Sequence, residues 1–470
     1  MDGQFDIGMV GLGVMGRNFV LNIADHGHSV AGYDKNPNQI QELRAAVENR
    51  PVHVSTTLAD FTASLKSPRT VMMLVPAGPP VDAVIRDLLP YLEAGDTIID
   101  GGNSHFTDTN LRAKTLAGKG INFLGIGISG GESGARHGPS LMPGGPQRAY
   151  EHVRSIFESA AAQVNGEPCV AYLGPDSAGH YVKMIHNGIE YAFLELIAES
   201  YSLMKVGLGL TDEELHQVYD RWNHGQLNSY LIEITARIFQ YVDDKTGQKL
   251  IDVILDEAHQ KGTGKWTSQD GMDLQVPLPV IDASVSMRDL TALKEAREAA
   301  SRVLKGPSPQ YRGDKAAFIN HLQEALYAGL IISFAQGMAL LFTGSHEYEY
   351  HLNLESVAKI WRGGCIIRAS LLEDIRSAYR NNPALSNLLM DARLGSTIME
   401  RQSDLRSIVR DAVEMGISIP GFMAALAYYD GYRSAWLPAN LIQAQRDYFG
   451  AHTYERVDAK GVFHTHWGEE

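Results

Sequence analysis

From Phe5 to about Gly174 the chain alternates short apolar runs with stretches of helical periodicity. The runs are Phe5 to Val10, Ser29 to Tyr33, Thr70 to Val75, Thr97 to Asp100 and Ile121 to Ile126. Short strands separated by helices predict βαβ units and a parallel sheet. Beyond Gly174 the period becomes helical almost throughout, over Tyr181 to Val206, Asp212 to Tyr241, Asp314 to Phe342 and Leu354 to Ile375. Coil-like breaks fall at Gly262-Thr263-Gly264 and around Gly306-Pro307-Ser308-Pro309. The last stretch, Leu437 to Glu470, carries many aromatics and histidines but weak periodicity. The expected organisation is an α/β domain over residues 1–177, a large all-helical domain over 178–436 and an extended tail over 437–470.

One helical stretch, Gly179 to Tyr191, carries a distinct polar pattern. It stacks Lys183, His186, Asn187 and Glu190 at i, i+3, i+4 and i+7, on one face. Most charged helix faces are solvated stripes. Here Leu194 and Ile197 continue the same face, and Val182, Ile185, Ile189, Ala192 and Phe193 make the rest apolar. A helix apolar nearly all round is buried, so its polar stripe is expected to face a cleft. A base, an acid and two polar binding groups within two turns suit proton transfer at a polar substrate.

The turn after the first apolar run is a complete G-x-G-x-x-G, Gly11-Leu12-Gly13-Val14-Met15-Gly16, placed between a strand and a helix. In that context the glycines make a tight turn, admit a pyrophosphate and let helix and strand pack closely, which marks a Rossmann-like dinucleotide domain. Asp34-Lys35-Asn36 closes the second strand, where the adenosine ribose is expected. The Asp34 carboxylate favours a free 2′-hydroxyl and hence NAD, whereas Lys35 suits the 2′-phosphate of NADP. Asp100-Gly101-Gly102-Asn103-Ser104 and Ser129-Gly130-Gly131-Glu132-Ser133-Gly134 also follow apolar runs, at the edge where open α/β sheets bind ligands. Lys261-Gly262-Thr263-Gly264-Lys265-Trp266 lacks the spacing of a triphosphate loop, yet Lys261 and Thr263 on a glycine-loosened turn suit a substrate phosphate. Arg288 and Arg446 are further phosphate candidates.

Composition narrows the partners. The 470 residues carry a net charge of -14, which disfavours nucleic acid and anionic membranes, so any anionic substrate needs a local cationic pocket. Cys169 and Cys365 are too few for a disulfide framework, and His452, His464 and His466 lack metal-ligand spacing, so no metal is expected. The start of the chain shows no leader pattern and no apolar stretch reads as a membrane span, so a cytoplasmic location is expected.

Taken together, these stretches resemble the decarboxylating 6-phosphogluconate dehydrogenase family across essentially the whole chain. Gly11 to Asn18, Asp100 to Ser104, Ser129 to Gly134, Gly138 to Gly145, Gly179 to Tyr191, Asp256 to Ser268 and Leu437 to Tyr454 carry the resemblance. It implies oxidative decarboxylation of 6-phosphogluconate to ribulose 5-phosphate with reduction of NAD(P), Lys183 serving as general base and Glu190 as general acid. It further implies substrate contacts at Asn103, Ser129, Gly130, Gly131, His186, Asn187, Tyr191, Lys261, Thr263, Arg288, Arg446 and His452. Asn103 and Val75-Pro76-Ala77 join the glycine turn and Asp34-Lys35-Asn36 as cofactor contacts. By the same resemblance the tail threads into a second subunit, where Arg446 and His452 complete the neighbouring site of a homodimer. The chain departs from many relatives at Asp34-Lys35-Asn36, where they carry Asn-Arg-Thr or Asn-Arg-Ser, and at Val75-Pro76-Ala77, where they often have a lysine in the middle. Both departures remove contacts to a 2′-phosphate. Two other readings compete: a dehydrogenase of smaller β-hydroxy acids, which would not need Lys261, Arg288, Arg446 and His452 together, and a silent dinucleotide sensor, which would not need Lys183 and Glu190.

Overall fold

The computed structural model describes residues 4–468; residues 1–3 and 469–470, at the outer ends of the expected N-terminal domain and tail, lie outside the described residues. Seven strands form one sheet: β1 (Ile7–Val10), β2 (Val30–Tyr33), β3 (Val52–Val54), β4 (Thr70–Met73), β5 (Thr97–Asp100), β6 (Asn122–Ser129) and β7 (Ser140–Gly144). Their order is β3-β2-β1-β4-β5-β6-β7. All pairings from β3 to β6 are parallel, and β7 closes the edge antiparallel to β6 with Ser129 opposite Ser140. The order reverses beside β1, so a crevice opens where the carboxyl ends of β1 and β4 diverge, the usual ligand position in such sheets. The expected parallel sheet is therefore mixed. Two of its strands, β3 and β7, belong to no apolar run singled out in the sequence. β7 contains Pro143, which an edge strand tolerates because one row of its amides needs no ladder partner.

The helical part is built on two long helices. Ala178–Ser202, the lysine helix, is buried along almost its whole length. Lys315–Glu347 starts where the Asp314 carboxylate accepts hydrogen bonds from the Ala316 and Ala317 amides, satisfying first-turn donors. It packs chiefly against Ala392–Met415 and the lysine helix. This central helix corrects one expectation. It is long and apolar enough to cross a membrane, with a mean hydropathy of 1.8, yet 94% of that window is buried inside the protein. Ser333 and Gln336 interrupt its apolar run, and Gln336 accepts a hydrogen bond from the Val280 amide in the core.

Other boundaries shift where turns intervene. The stretch Asp212 to Tyr241 divides into Asp212–Asn223 and Tyr230–Ile238, and Leu354 to Ile375 divides at the loop before Leu371–Asn381. The tail is more ordered than its weak periodicity predicts. Ala439–Gly450 is a helix, followed by a short antiparallel pairing of Tyr454–Glu455 with Val462–Phe463. Its periodicity was hard to read because Leu441, Ile442, Tyr448 and Phe449 are all exposed, so no apolar stripe is turned inward.

Candidate active site

A cleft of about 820 Å³ lies between the carboxyl edge of the sheet and the helical part. Gly13 to Gly16 and Val75-Pro76-Ala77 line one end, Asn103 the middle, and Asn187, Glu190, Tyr191, Lys261, Thr263 and Arg288 the other. Sequence reading had not singled out His259 and Trp266, which also line it. The signal was present, since both flank Lys261 and Thr263 in the segment Asp256 to Ser268.

The lysine helix reaches the cleft because the sheet lets it come close. A Cβ on Gly127 of β6 would collide with the Lys183 side chain, so only glycine permits this packing. Lys183 is thereby buried with its stem against the sheet and its amine pointing along the helix face. The Lys183 amine donates to Asn187 Oδ1 at 2.6 Å and lies 3.4 Å from His186 Nδ1. His186 Nδ1 is 3.0 Å from Asn187 Oδ1, and its Nε2 is 3.2 Å from Ser129 Oγ. These partners assign the ring proton to Nδ1, leaving Nε2 to accept from the Ser129 hydroxyl. Glu190 Oε2 stands 3.8 Å from His186 Nδ1 at the cleft surface.

Burial dominates the electrostatics. It lowers the Lys183 pKa, the charge of Glu190 opposing this. Burial raises the Glu190 pKa, the charges of Lys183 and Arg288 opposing. His186 is held well below its ordinary value by burial and then by Lys183, and so stays neutral. A neutral amine and a protonated carboxyl are thus both favoured in one site, the condition for a base and an acid working near neutrality. Beside Glu190 the Arg288 guanidinium sits over the ring of Tyr191 on the lysine helix, 3.4 Å from its centroid, and Gly262 in a left-handed turn caps the helix Thr263–Asp273, whose Gly264 packs on the same ring. Lys261 and Arg288 leave this wall cationic in a chain that is otherwise strongly acidic.

Ser129, Lys183 and His186 are buried behind Asn187, and Gly130 and Gly131 open the helix Gly131–His137 with the Gly130 backbone against the Gly364 carbonyl. The glycine turn fits a dinucleotide. Gly13 caps the helix Val14–Asp25 without any side-chain bond to its first amides, and a Cβ added at Gly13 would meet open space. A phosphate could therefore approach uncapped amides and a favourable dipole. Leu12 is buried, and its amide donates to Asp34 Oδ2 at 2.7 Å while the Asn36 amide donates to Oδ1 at 2.8 Å. Lys35 turns away to pair with Asp87 at 2.6 Å. Asp34, Lys35 and Asn36 lie outside the lining of the cleft.

Arg446 and His452 are not brought to this cleft. Both are exposed on the tail, with Arg446 donating to Gln443. Between them Asp447 is fully buried and accepts from the Thr453 and Thr465 amides, His464 Nδ1 and Trp467 Nε1. His464, whose sequence spacing gave it no metal-binding role, thus helps to fold the tail. Among the described residues no group of three or more histidine, cysteine or acidic side chains is arranged to hold a metal ion.

Comparison with known proteins agrees with this geometry. The family model for the NAD binding domain of 6-phosphogluconate dehydrogenase matches residues 6–174, and that for the 6-phosphogluconate dehydrogenase C-terminal domain matches residues 179–467. The chain is 51% identical to the NADP(+)-dependent, decarboxylating 6-phosphogluconate dehydrogenase of Bacillus subtilis, over 98% of each chain. It is 52% identical to the decarboxylating 6-phosphogluconate dehydrogenase of Escherichia coli K12, again over 98% of each. A solved Plasmodium falciparum 6-phosphogluconate dehydrogenase, studied apo, with its cofactor NADP+ and with its substrate 6-phosphogluconate, superposes with a TM-score of 0.93 at 45% identity, covering 98% of this chain and 100% of that one. A dinucleotide turn, a buried lysine beside a carboxylic acid and a cationic wall, in a fold matched from end to end, place this chain in the 6-phosphogluconate dehydrogenase family.

Proposed function

We propose that the protein converts 6-phospho-D-gluconate to D-ribulose 5-phosphate and CO2 with reduction of NAD(P)+, Lys183 acting as base and Glu190 as acid. The observation that carries these roles is their shared helix face, Glu190 lining the cleft and Lys183 buried behind Asn187, with both pKa values displaced by burial toward the neutral forms. A dinucleotide held at the Gly11 to Gly16 turn and by Val75-Pro76-Ala77 would supply the acceptor for the hydride that leaves C3. Neutral Lys183 takes the 3-hydroxyl proton, so C3 becomes a ketone β to the carboxylate. The protonated amine then polarises that ketone while the C1–C2 bond breaks and CO2 departs, leaving an enediol. Glu190 delivers its proton to the carbon that lost the carboxylate. Asn187 and His186 orient the amine, and Lys261, Thr263 and Arg288 hold the phosphate.

In this reading residues 1–177 bind the dinucleotide, 178–436 supply the catalytic helix, and 437–470 extend to a second subunit, where Arg446 and His452 complete the neighbour's site. Their exposure and distance from their own cleft support that arrangement. The cytoplasm is the compartment it implies. NAD is the favoured dinucleotide, because Asp34 sits at the end of β2 and Lys35 is engaged by Asp87. Purified protein, 6-phosphogluconate and either dinucleotide, followed by nicotinamide absorbance and CO2 release, test the reading. No turnover with either dinucleotide would refute it.

A further inference from the structure

Arg112, on the helix Phe106–Ala117, lies outside the cleft lining, yet its side chain is only 7% exposed and its guanidinium joins two of the cleft's loops. On one side Nε donates to Asp82 Oδ1 at 2.7 Å, and Nη2 donates to Asp82 Oδ2 and to the Gly78 carbonyl, both at 3.2 Å. Gly78 ends the loop that carries Val75-Pro76-Ala77. On the other side Nη1 donates to Ser104 Oγ at 3.3 Å and stands 3.8 Å from Asp100 Oδ2. Asp100 shapes the loop that carries Asn103, accepting from the Gly102 amide at 2.9 Å and from Ser104 Oγ at 2.6 Å. The same loop is tied to the lysine helix, since His180, one turn before Lys183, lies 3.1 Å from the Asp100 carbonyl through Nε2 and 2.7 Å from Thr109 Oγ1 through Nδ1.

A guanidinium presents its donors in a rigid fork, so a group bonded on both edges sets a separation that a flexible ammonium cannot. We propose that Arg112 is a positioning residue, holding the loop on the dinucleotide side of the cleft at a fixed distance from the loop that carries Asn103. This rests on the functional reading above, in which Val75-Pro76-Ala77 contacts the dinucleotide and Asn103 contacts both dinucleotide and substrate, so the spacing of the two loops bears on the distance the hydride crosses. Hydride transfer is steep in distance, and a misplacement of about 1 Å can cost roughly 10²-fold in rate.

The test uses Arg112→Lys, Arg112→Gln and Ser104→Ala in the full-length protein. Ser104→Ala removes the hydrogen bond from Arg112 to the Asn103 loop, leaving the longer approach to Asp100 and the Arg112–Asp82 pair, so it remains informative if loss of the arginine prevents folding. Expected are a kcat lowered about tenfold or more in Arg112→Gln, a smaller loss in Ser104→Ala, and partial recovery in Arg112→Lys. The deuterium isotope effect on kcat with 6-phosphogluconate deuterated at C3 should rise in each impaired variant, which a mere loss of folded protein would not produce. Unchanged kcat and isotope effect in folded Arg112→Gln, or in Ser104→Ala if the former does not fold, overturn the proposal. Wild-type turnover is measured first, because its absence refutes the functional reading itself. In that event dinucleotide affinity with and without 6-phosphogluconate judges Arg112 separately: a dependence of one ligand on the other that is weakened fivefold or more in the variants supports it, and an unchanged dependence overturns it.

Discussion

The Lys183 amine reaches Asn187 Oδ1, one helical turn further on, across 2.6 Å. That bond holds the amine toward the cleft and away from the sheet against which its stem packs. Replacing Lys183 with alanine should lower turnover by roughly 10²–10⁴-fold while leaving dinucleotide affinity close to the parent's, because base removal acts on the transition state. Steady-state kinetics with dinucleotide titration check this. Turnover within tenfold of the parent would show that another group is the base.

The pH dependence follows from which charges Lys183 feels. The base must be neutral, so kcat/KM rises as pH passes the lysine pKa in the free enzyme. The Glu190 carboxylate raises that pKa against the lowering by burial. Glu190→Gln removes the negative charge, so the acid limb of the residual activity should move to lower pH. Asn187→Asp adds a negative charge at bonding distance, so its acid limb should move to higher pH. Profiles that shift in the same direction for both variants would contradict this account.

The proposed choice of NAD rests on three residues. Asp34 already accepts two backbone amides and Lys35 is drawn to Asp87. The wild type should show a higher kcat/KM with NAD than with NADP. Asp34→Asn, which lessens repulsion of a 2′-phosphate, and Asp87→Asn, which frees Lys35, should each move the ratio toward NADP. Exposed pairs of this kind are worth about 1 kcal/mol or less, so the Asp87 effect should be a few-fold at most. A tenfold wild-type preference for NADP would mean that Lys35 governs the pocket despite Asp87.

The tail can be tested by complementation. Truncation before Leu437 should abolish turnover and weaken the dimer while the dinucleotide is still bound. Lys183→Ala and Arg446→Ala chains, each inactive alone, should regain up to about a quarter of parental activity after subunit exchange. Half of the randomly paired dimers are mixed, and each holds one intact site. If exchange is verified and no activity returns, the tail does not act across the interface.

What the sequence disclosed depended on how directly a residue pattern maps to contact. Lys183, His186, Asn187 and Glu190 were legible because helical spacing alone stacks them, and Gly11 to Gly16 because a strand and a helix bracket them. Val52–Val54 escaped notice because a three-residue strand has too little length to show a period. Ser140–Gly144 did so because its proline and glycine argue locally against a strand, and only the edge position allows them. The membrane-length run in Lys315–Glu347 was overlooked because polar residues interrupt it, and its burial depends on partners distant in sequence. Arg112 drew no attention because nothing near it in sequence foretells Asp82, Gly78 and Ser104 converging on it.

The contact of Gly127 with Lys183 has a bearing on motion. Gly179, in the first turn of the same helix, also sits against the carbonyls of Met142 and Gly125, backbone on backbone. Backbone contacts of this second kind have no side chains to bend or slide, so the sheet and the start of the lysine helix travel as one solid piece. On its other side the same helix is packed by Thr263–Asp273 and Pro279–Thr291, with Gly188 against Thr267, Gly264 against the Tyr191 ring and Arg288 over that ring, so Arg288 and Thr263 are held to it as well. In the proposed reading, base, acid and phosphate grip are therefore spaced before the sugar acid arrives, and binding has little left to rearrange.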